Sequence, residues 1–289
     1  MAPVNRRISI AAALLLFAAF CLCTAPGTAW AVTLEGEAIQ GGLIFGQARP
    51  GSEVDLDGQP VMVSGDGRFV LGFGRDETGT RTLSVIEPGE EKQRIDLPVR
   101  ARDYAIERVD GLPPRTVTPD PAAAQRIREE AALVSSARSR RDSRTDYAEG
   151  FAWPAEGRIS GVYGSQRILN GEPRRPHYGL DIAAPTGTPV HAPAAGIVTL
   201  AHPDMYYSGG TLILDHGQGL SSTFLHLSRI LVEAGMTVEK GDVIAEIGAT
   251  GRASGPHLDW RMNWMDRRVD PRPLVPELPP SDGAAANPR

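Results

Sequence analysis

The chain has 289 residues and a formal net charge of −5, with 35 acidic against 30 basic side chains. Nucleic-acid binding requires a concentrated basic surface, and this composition gives no basis for such a partner. The only two cysteines, Cys21 and Cys23, lie in an N-terminal segment that we expect to be removed. The mature protein would then have neither disulfides nor thiolate metal ligands.

Residues 1–31 have the features of a secretory signal peptide. Two arginines precede an apolar run over residues 8–23, and the segment ends in Ala29-Trp30-Ala31. A basic start, a short apolar core and an Ala-x-Ala end are typical of such peptides. The run is shorter than the roughly 20 residues of a membrane-spanning helix. We expect cleavage after about Ala31, a periplasmic or extracellular location, and no membrane anchor after cleavage.

Residues 32–112 are predicted to form an immunoglobulin-like β-sandwich. Short apolar segments alternate with turns, and Asp57-Gly58 is a strong signal for a two-residue hairpin. Phe69, Leu71 and Phe73 alternate as in a half-buried strand. Further strands are predicted near 82–86, 95–99 and 104–109, giving about seven in all. No reactive group of side chains occurs here, so we expect a spacer or docking module.

Residues 113–150 are predicted to be a helical and basic linker. Asp120 suits a helix N-cap and Pro121 the first helical position. One thin apolar stripe follows, and it is formed by Ala124, Ile127, Ala131 and Val134. The next residues are rich in serine and arginine, with Arg138, Arg140, Arg141 and Arg144. The tract is either a solvated linker or a segment that binds a partner or the cell envelope.

Residues 151–275 are predicted to form a compact antiparallel β-domain, and residues 276–289 a disordered tail. Apolar segments near 197–200, 211–214 and 243–247 are separated by Gly and Pro, and helical periodicity is almost absent. The fold class is therefore mainly β. Three histidines, His191, His202 and His216, are expected in loops or turns.

Five residues in this domain could bind and use a metal ion: His177, Asp181, His226, His257 and Asp259. Imidazole and carboxylate are the donors that hold catalytic zinc in open three-ligand sites. His257 and Asp259 are two apart, so on a strand their side chains leave the same face. Gly179 between His177 and Asp181 allows a bend that brings both inward.

The segments around these residues resemble the M23 family of zinc metallopeptidases, also called the lysostaphin-like or LytM domain. Pro-His-Tyr-Gly-Leu-Asp-Ile-Ala-Ala-Pro at 176–185 is similar to the first ligand motif of the family. Thr-Phe-Leu-His-Leu at 223–227 is similar to the second, and Gly-Pro-His-Leu at 255–258 opens the third. The stretch 238–251 between them resembles the family's connecting hairpin.

The resemblance implies that His177 and Asp181 are zinc ligands and that His226 and His257 flank the catalytic water. The family's third ligand is normally a histidine two residues after the His257 position, where this chain has Asp259. Aspartate oxygen is an acceptable zinc ligand. We therefore expect one Zn²⁺ held by a His-Asp-Asp set, with Mn²⁺ as a second possibility because carboxylates suit harder metals.

The implied activity is hydrolysis of peptide bonds in peptidoglycan stem peptides or cross-links by a secreted zinc metalloendopeptidase. His226 or His257 would take the proton of water, and the pair would stabilise the oxyanion. The loops 166–175 and 203–210 are expected to line a groove, with Tyr206, Tyr207 and Arg174 or Arg175 on its walls.

Two other functions are open at this stage. A catalytically impaired LytM module could bind and activate cell-wall amidases, or act with division proteins. The hairpin around Lys240 also resembles those of biotinyl and lipoyl carriers, although the setting of Lys240 is not that of a modified lysine.

Overall fold

In the computed structural model, which describes residues 31–109, 123–169, 171–173 and 175–277, seven N-terminal strands form two antiparallel sheets. The strands are β1 (Thr33–Gly36), β2 (Leu43–Gln47), β3 (Glu53–Leu56), β4 (Gln59–Val61), β5 (Arg68–Gly72), β6 (Thr80–Ile86) and β7 (Gln93–Pro98). The sheet orders are β1-β2-β5 and β4-β3-β6-β7. Asp57 and Gly58 have φ angles of 53° and 77° in the hairpin between β3 and β4, as a type I′ turn requires.

Strand β5 departs from the expected alternation because it is covered on both faces. Phe69, Val70 and Leu71 are all fully buried. One face packs within the N-terminal sheets, and the other lies against the C-terminal sheet. A Cβ on Gly72 would come within 2.7 Å of the Trp264 Cβ.

The predicted strand near 104–109 exists as β8 (Ile106–Val109), but its placement in the N-terminal sandwich is wrong. It pairs in parallel with β10 (Gln166–Leu169), which also pairs with β11 (Glu172–Pro173). These strands form a separate sheet that joins the two halves of the chain.

The predicted linker contains one helix, α1 (Ala124–Ala137), which buries none of its residues fully. Its predicted start at Asp120-Pro121 lies outside the described residues, as do the predicted signal segment up to residue 30, Arg174 and the tail from residue 278. Among the described residues, no helix has the length and apolar character needed to cross a membrane.

The C-terminal part is built on an eight-stranded antiparallel sheet, which confirms the prediction. Its strands are β9 (Arg158–Gly161), β12 (Leu180–Ala183), β14 (Gly196–Met205), β15 (Gly209–Asp215), β16 (Leu220–Leu227), β18 (Thr237–Val238), β20 (His257–Trp264) and β21 (Arg267–Val269). The order is β18-β14-β15-β16-β20-β12-β9, with β21 beside β20. A smaller sheet contains β13 (Pro189–His191), β19 (Val243–Glu246) and β17 (Arg229–Ile230), and a 3-10 helix covers Arg272–Leu274.

Alternation along β20 separates an apolar face from a polar face. Leu258, Trp260 and Met262 are fully buried in the core. Asp259, Arg261 and Asn263 project to the opposite side, because successive side chains of a strand point to opposite faces. The candidate catalytic residues lie on this polar face.

The loop assignments of two other histidines are wrong. His191 ends β13 and His202 lies within β14. His216 follows β15 and is fully buried, with its ring 2.7 Å from the Ala195 carbonyl and 2.8 Å from Ser222 Oγ. Burial lowers its pKa to about 4, so His216 is a neutral core residue.

Candidate metal centre

Strand register brings together the three residues predicted to bind metal. Asp181 on β12 lies directly opposite Asp259 on β20. His177 precedes β12, and its backbone N–H donates to the Ser165 carbonyl over 2.9 Å. One potential ligand atom from each of the three residues lies within 4.8 Å of the others. The bend that Gly179 was expected to allow is therefore present.

The spacing of these atoms fits a small metal ion. His177 Nε2 lies 3.1 Å from Asp181 Oδ1 and 3.6 Å from Asp259 Oδ2. Ligands about 2.0–2.2 Å from a tetrahedral zinc are separated by about 3.4 Å. His177 Nε2 and Asp181 Oδ1 are also buried without a hydrogen bond, despite their proximity. Two buried polar atoms that face one another unpaired are a strong sign of a missing third party such as a cation.

The His177 ring is oriented for coordination through Nε2. Its Nδ1 lies 3.2 Å from the Val162 carbonyl oxygen. A carbonyl oxygen can only accept, so Nδ1 carries a proton, and loss of the second proton on metal binding would leave the Nε2 lone pair facing the carboxylates. Such a bond from the far nitrogen commonly fixes the tautomer and direction of a metal-bound histidine.

Two glycines give the carboxylates the room they occupy. A Cβ on Gly161 would collide with the Asp181 carboxylate, and a Cβ on Gly179 would collide with Asp259 Oδ1. Neither glycine has a positive φ. Their function here is to allow close approach rather than an unusual backbone conformation.

The predicted catalytic pair, His226 and His257, lies beside this cluster. Their ring centroids are 4.8 Å apart, and His257 Nε2 is 3.9 Å from Asp181 Oδ1. His226 Nδ1 lies 2.8 Å from the Thr250 carbonyl, and His257 Nδ1 lies 2.8 Å from that of Gly255. Both rings therefore hold their proton on Nδ1 and present Nε2 as an acceptor.

His226 reaches this position through a β-bulge. Between β15 and β16, Gly210 pairs with Leu227 but Leu212 pairs with Phe224, so β16 has one extra residue. His226 has a φ of 63°, a conformation that costs a non-glycine residue free energy. Bulges of this kind redirect a side chain and are common beside active sites.

Arg261, which the sequence interpretation did not identify, binds Asp259. Its Nε lies 3.0 Å from both carboxylate oxygens, and its Nη2 lies 2.5 Å from Oδ2. Burial raises the pKa of the Asp259 carboxyl, but Arg261 and His177 outweigh burial and the pKa is lowered. Asp259 is therefore ionised. The signal in the sequence was the pair of opposite charges at positions i and i+2, which share a strand face.

Charges also set the protonation of the histidines. Burial disfavours the charged form of His177, but the Asp181 and Asp259 carboxylates raise its pKa to about 10 without a metal. Burial lowers the pKa of His226. His226 is thus neutral at physiological pH and able to accept a proton.

The predicted groove residues lie near this site. Tyr206 and Tyr207 contact each other edge to face, with centroids 4.9 Å apart, in the turn between β14 and β15. The Arg252 backbone N–H donates to the Tyr207 carbonyl over 2.8 Å, which links this turn to the loop that holds His226 through Thr250. The 166–175 loop contains β10 and β11, and Arg175 is exposed.

Similarity to known proteins agrees with this site. The model of "Peptidase family M23" matches residues 175–271. The peptidoglycan DD-endopeptidase ShyB of Vibrio cholerae is 39% identical over 114 residues, which cover 39% of this chain and 26% of ShyB. A lipoprotein NlpD/LppB homolog of Pseudomonas aeruginosa is 34% identical over 127 residues, or 44% of this chain and 40% of that protein. The chain thus spans less than half the length of these relatives.

One solved structure is similar over nearly its whole length. The crystal structure of a protein from Pseudomonas aeruginosa, titled as a putative peptidase M23, has a TM-score of 0.63 and 31% sequence identity. The similarity covers 81% of this chain and 93% of that one, so it includes the N-terminal sheets as well as the site. The chain therefore belongs to peptidase family M23.

Proposed function

We propose that this protein is a secreted zinc metalloendopeptidase that cleaves peptide bonds in peptidoglycan stem peptides or cross-links. The observation that carries the proposal is the pair of buried, unpaired atoms, His177 Nε2 and Asp181 Oδ1, with Asp259 beside them. This donor set fits a divalent cation. The expected signal peptide and the cell-wall enzyme ShyB among the relatives support the location and the substrate.

In this proposal His177, Asp181 and Asp259 hold the metal, which when bound supplies Lewis-acid activation of water and of the scissile carbonyl. His226 and His257 lie beside these ligands, with their ring centroids 4.8 Å apart. One of them takes a proton from the attacking water. Once protonated, its Nε2–H donates a hydrogen bond to the oxyanion that develops on the substrate.

The direct test is metal content and hydrolysis measured on the same preparation. We expect the mature chain to bind one equivalent of zinc by elemental analysis and to release peptides from purified peptidoglycan. His177→Ala should abolish both. Activity that persists in the His177→Ala variant would rule out the proposed mechanism.

One observation favours a second function, a module that binds and activates cell-wall amidases. Arg261 contacts both oxygens of Asp259, and this ion pair could replace a metal. The similarity to an NlpD/LppB homolog is consistent with such a role. A protein that binds no zinc and releases no peptide, but stimulates a purified amidase, would establish this function instead.

A further inference from the structure

Beside the metal centre, the polar face of the sheet carries arginines that the proposed mechanism does not use. Thr223 on β16 pairs with Arg261 on β20, and Asn263 pairs with Arg268 on β21. Residues opposite one another in paired strands share a face. Arg268 therefore projects from the same side as Asp259 and Arg261. Its guanidinium also lies over the ring of Tyr178, which is next to His177.

A second arginine reaches this face from the linker. Arg138 follows the last residue of α1, and its Nη2 donates a hydrogen bond to Thr223 Oγ1 over 2.8 Å. Arg138 is thus next to Arg261, the strand partner of Thr223. The rest of the basic tract behaves differently. Arg140 and Arg144 form ion pairs with Asp142 and Asp215, and these keep their charges away from the metal centre.

Among the described residues, these two arginines lack an ion-pair partner, although Asp259 and the Tyr178 ring lie close enough to Arg268 to favour its charge in part. In the part of the chain that the structure describes, neither Arg138 nor Arg268 has a carboxylate partner. Burial and repulsion from Arg268 and Arg261 lower the pKa of Arg138 to about 9. Burial and repulsion from Arg261 lower the pKa of Arg268 as well. Positive charges held together without an anion favour the binding of one.

Hydrogen-bonding capacity at the same place is also unused. Arg138 Nε, Ser221 Oγ and Asn263 Oδ1 are buried and have no partner. Ser221 and Asn263 are opposite one another on β16 and β20, on the face that Arg138 covers. A carboxylate could accept hydrogen bonds from the Arg138 N–H and the Ser221 hydroxyl. The missing ion-pair partners of the arginines and the unpaired donors of Arg138 and Ser221 therefore both point to an anion, whereas Asn263 Oδ1 is an acceptor and cannot bind one.

We propose that Arg138 and Arg268, together with Ser221 on the same sheet face, form a subsite for a carboxylate group of the peptide substrate. Positions 259 and 261 are about 7 Å apart along a strand. The subsite thus begins about two extended residues from the metal centre. A substrate bound with its scissile bond at the metal would place there a carboxylate from its own chain end or from a nearby side branch.

This inference rests on the proposed function for the kind of peptide, but its test does not require hydrolysis. The probe is the stem peptide Ala-γ-D-Glu-Lys-D-Ala-D-Ala, titrated calorimetrically into the zinc-loaded mature chain in a His226→Ala background that prevents turnover. Three forms of the peptide are compared: both carboxylates free, the C-terminus amidated, and the glutamyl α-carboxylate amidated. If amidation of one carboxylate lowers the affinity of the peptide, that carboxylate is the one bound at the subsite.

We expect Arg138→Gln and Arg268→Gln each to weaken binding of the free acid about tenfold or more, as the loss of a hydrogen bond to a charged group predicts. The peptide amidated at the relevant carboxylate should bind weakly and be insensitive to both changes. Arg128→Gln is the matched control, because Arg128 is an exposed arginine on α1, the helix that Arg138 directly follows. Thermal melting checks that each variant is folded. Because Arg268 lies on β21 and Arg138 follows α1, the two substitutions change the subsite through different elements.

The subsite would be overturned if both arginine variants bound the free acid as tightly as the wild type does. It would also be overturned if the variants lost as much affinity for each amidated peptide as for the free acid. Failure of the proposed function looks different. In that case the wild-type chain would release no peptide from peptidoglycan, while the arginine-dependent binding of the free acid would persist.

Discussion

At the scale of single residues, the pairing of Asp259 with Arg261 would allow a carboxylate to serve at the proposed third ligand position. His177, Asp181 and Asp259 alone would offer two negative charges to a divalent ion. Arg261 contributes one positive charge through three contacts to Asp259. The combination has the net charge of a site with two imidazoles and one carboxylate. A carboxylate has about four lone-pair directions, so Asp259 can bind Arg261 and a metal together.

The pair should therefore behave as a unit when Asp259 is changed to the histidine typical of the family. Asp259→His alone leaves Arg261 unpaired beside the metal, and we expect zinc affinity to fall at least tenfold. Asp259→His combined with Arg261→Gln should recover it, because the repulsive charge is removed. Zinc dissociation constants from chelator competition measure the coupling between the two positions. Tighter zinc binding in the single variant would show that Arg261 does not contribute to the site.

Substitution of Gly179 should reduce metal binding as strongly as substitution of a ligand, although glycine has no side chain to coordinate the metal. An alanine Cβ would collide with Asp259 Oδ1, and it would come within 2.8 Å of the Arg261 Cγ. We expect Gly179→Ala to displace the carboxylate and to reduce bound zinc well below one equivalent. Gly255→Ala is the control, since a Cβ there would meet no atom within 4 Å. Equal zinc content in the two variants would contradict the proposed ligand geometry.

The raised pKa of His177 predicts how metal binding depends on pH. Without metal the pKa of His177 is about 10, so its ring is protonated throughout the neutral range. Coordination requires the neutral ring, and zinc must displace one proton. Apparent zinc affinity should therefore rise up to about tenfold per pH unit between pH 6.5 and 8.5. Chelator competition at several pH values measures this slope, and a flat profile would show that the His177 proton is not displaced.

The raised pKa of His177 has the opposite effect on the stability of the metal-free protein, which should fall as pH rises. His177 has a folded pKa above its unfolded value, so its stabilising contribution is complete below about pH 6.5 and is lost as pH rises toward 10. Melting temperatures of the metal-free protein should therefore decline over that range. Zinc-loaded protein should show less of this decline, because the cation takes the place of the proton.

At the scale of secondary structure elements, regular strands were predictable and their irregularities were not. The two-residue spacing of His257 and Asp259 correctly predicted a shared face on β20. The bulge that aims His226 was not predictable, because its positive φ depends on a backbone hydrogen bond to Ser208 that local sequence does not encode. Arg261 was missed for a related reason. Its charge has meaning only once the strand register is known.

Helix α1 contacts the edge of the candidate groove through two side chains, Glu130 and Arg126. Glu130 accepts a hydrogen bond from the Tyr206 backbone N–H over 2.8 Å, and Arg126 forms an ion pair of 3.1 Å with Asp204 near the end of β14. We expect Glu130→Ala to speed hydrogen exchange at the Tyr206 amide and to raise KM for peptidoglycan. Glu129→Ala is the control, because Glu129 is exposed and accepts a hydrogen bond from Gln125 on its own helix. Unchanged exchange at Tyr206 would mean that α1 does not order this turn.

At the scale of the whole molecule, contacts between the N-terminal strands and the C-terminal sheet exceed what a flexible spacer would make. Gln218 Nε2 donates to the Arg68 carbonyl over 2.8 Å, and Arg102 forms an ion pair of 2.9 Å with the buried Asp270. Strand periodicity predicted which segments are extended in each half. These two contacts join residues 150 and 168 positions apart, and no local pattern specifies them.

These contacts predict that the described parts of the two halves unfold together. Gly72→Ala would place a Cβ within 2.7 Å of Trp264, and overpacking of this kind costs about 1–3 kcal/mol. The described tryptophans, Trp153, Trp260 and Trp264, all lie in the C-terminal half. Their fluorescence should therefore report a melting temperature lowered by several degrees, although the substituted residue is in the N-terminal half. Gly65→Ala, in open space on the same half, should leave the transition unchanged. Two separate transitions, with only the N-terminal one shifted, would instead show that the halves are independent.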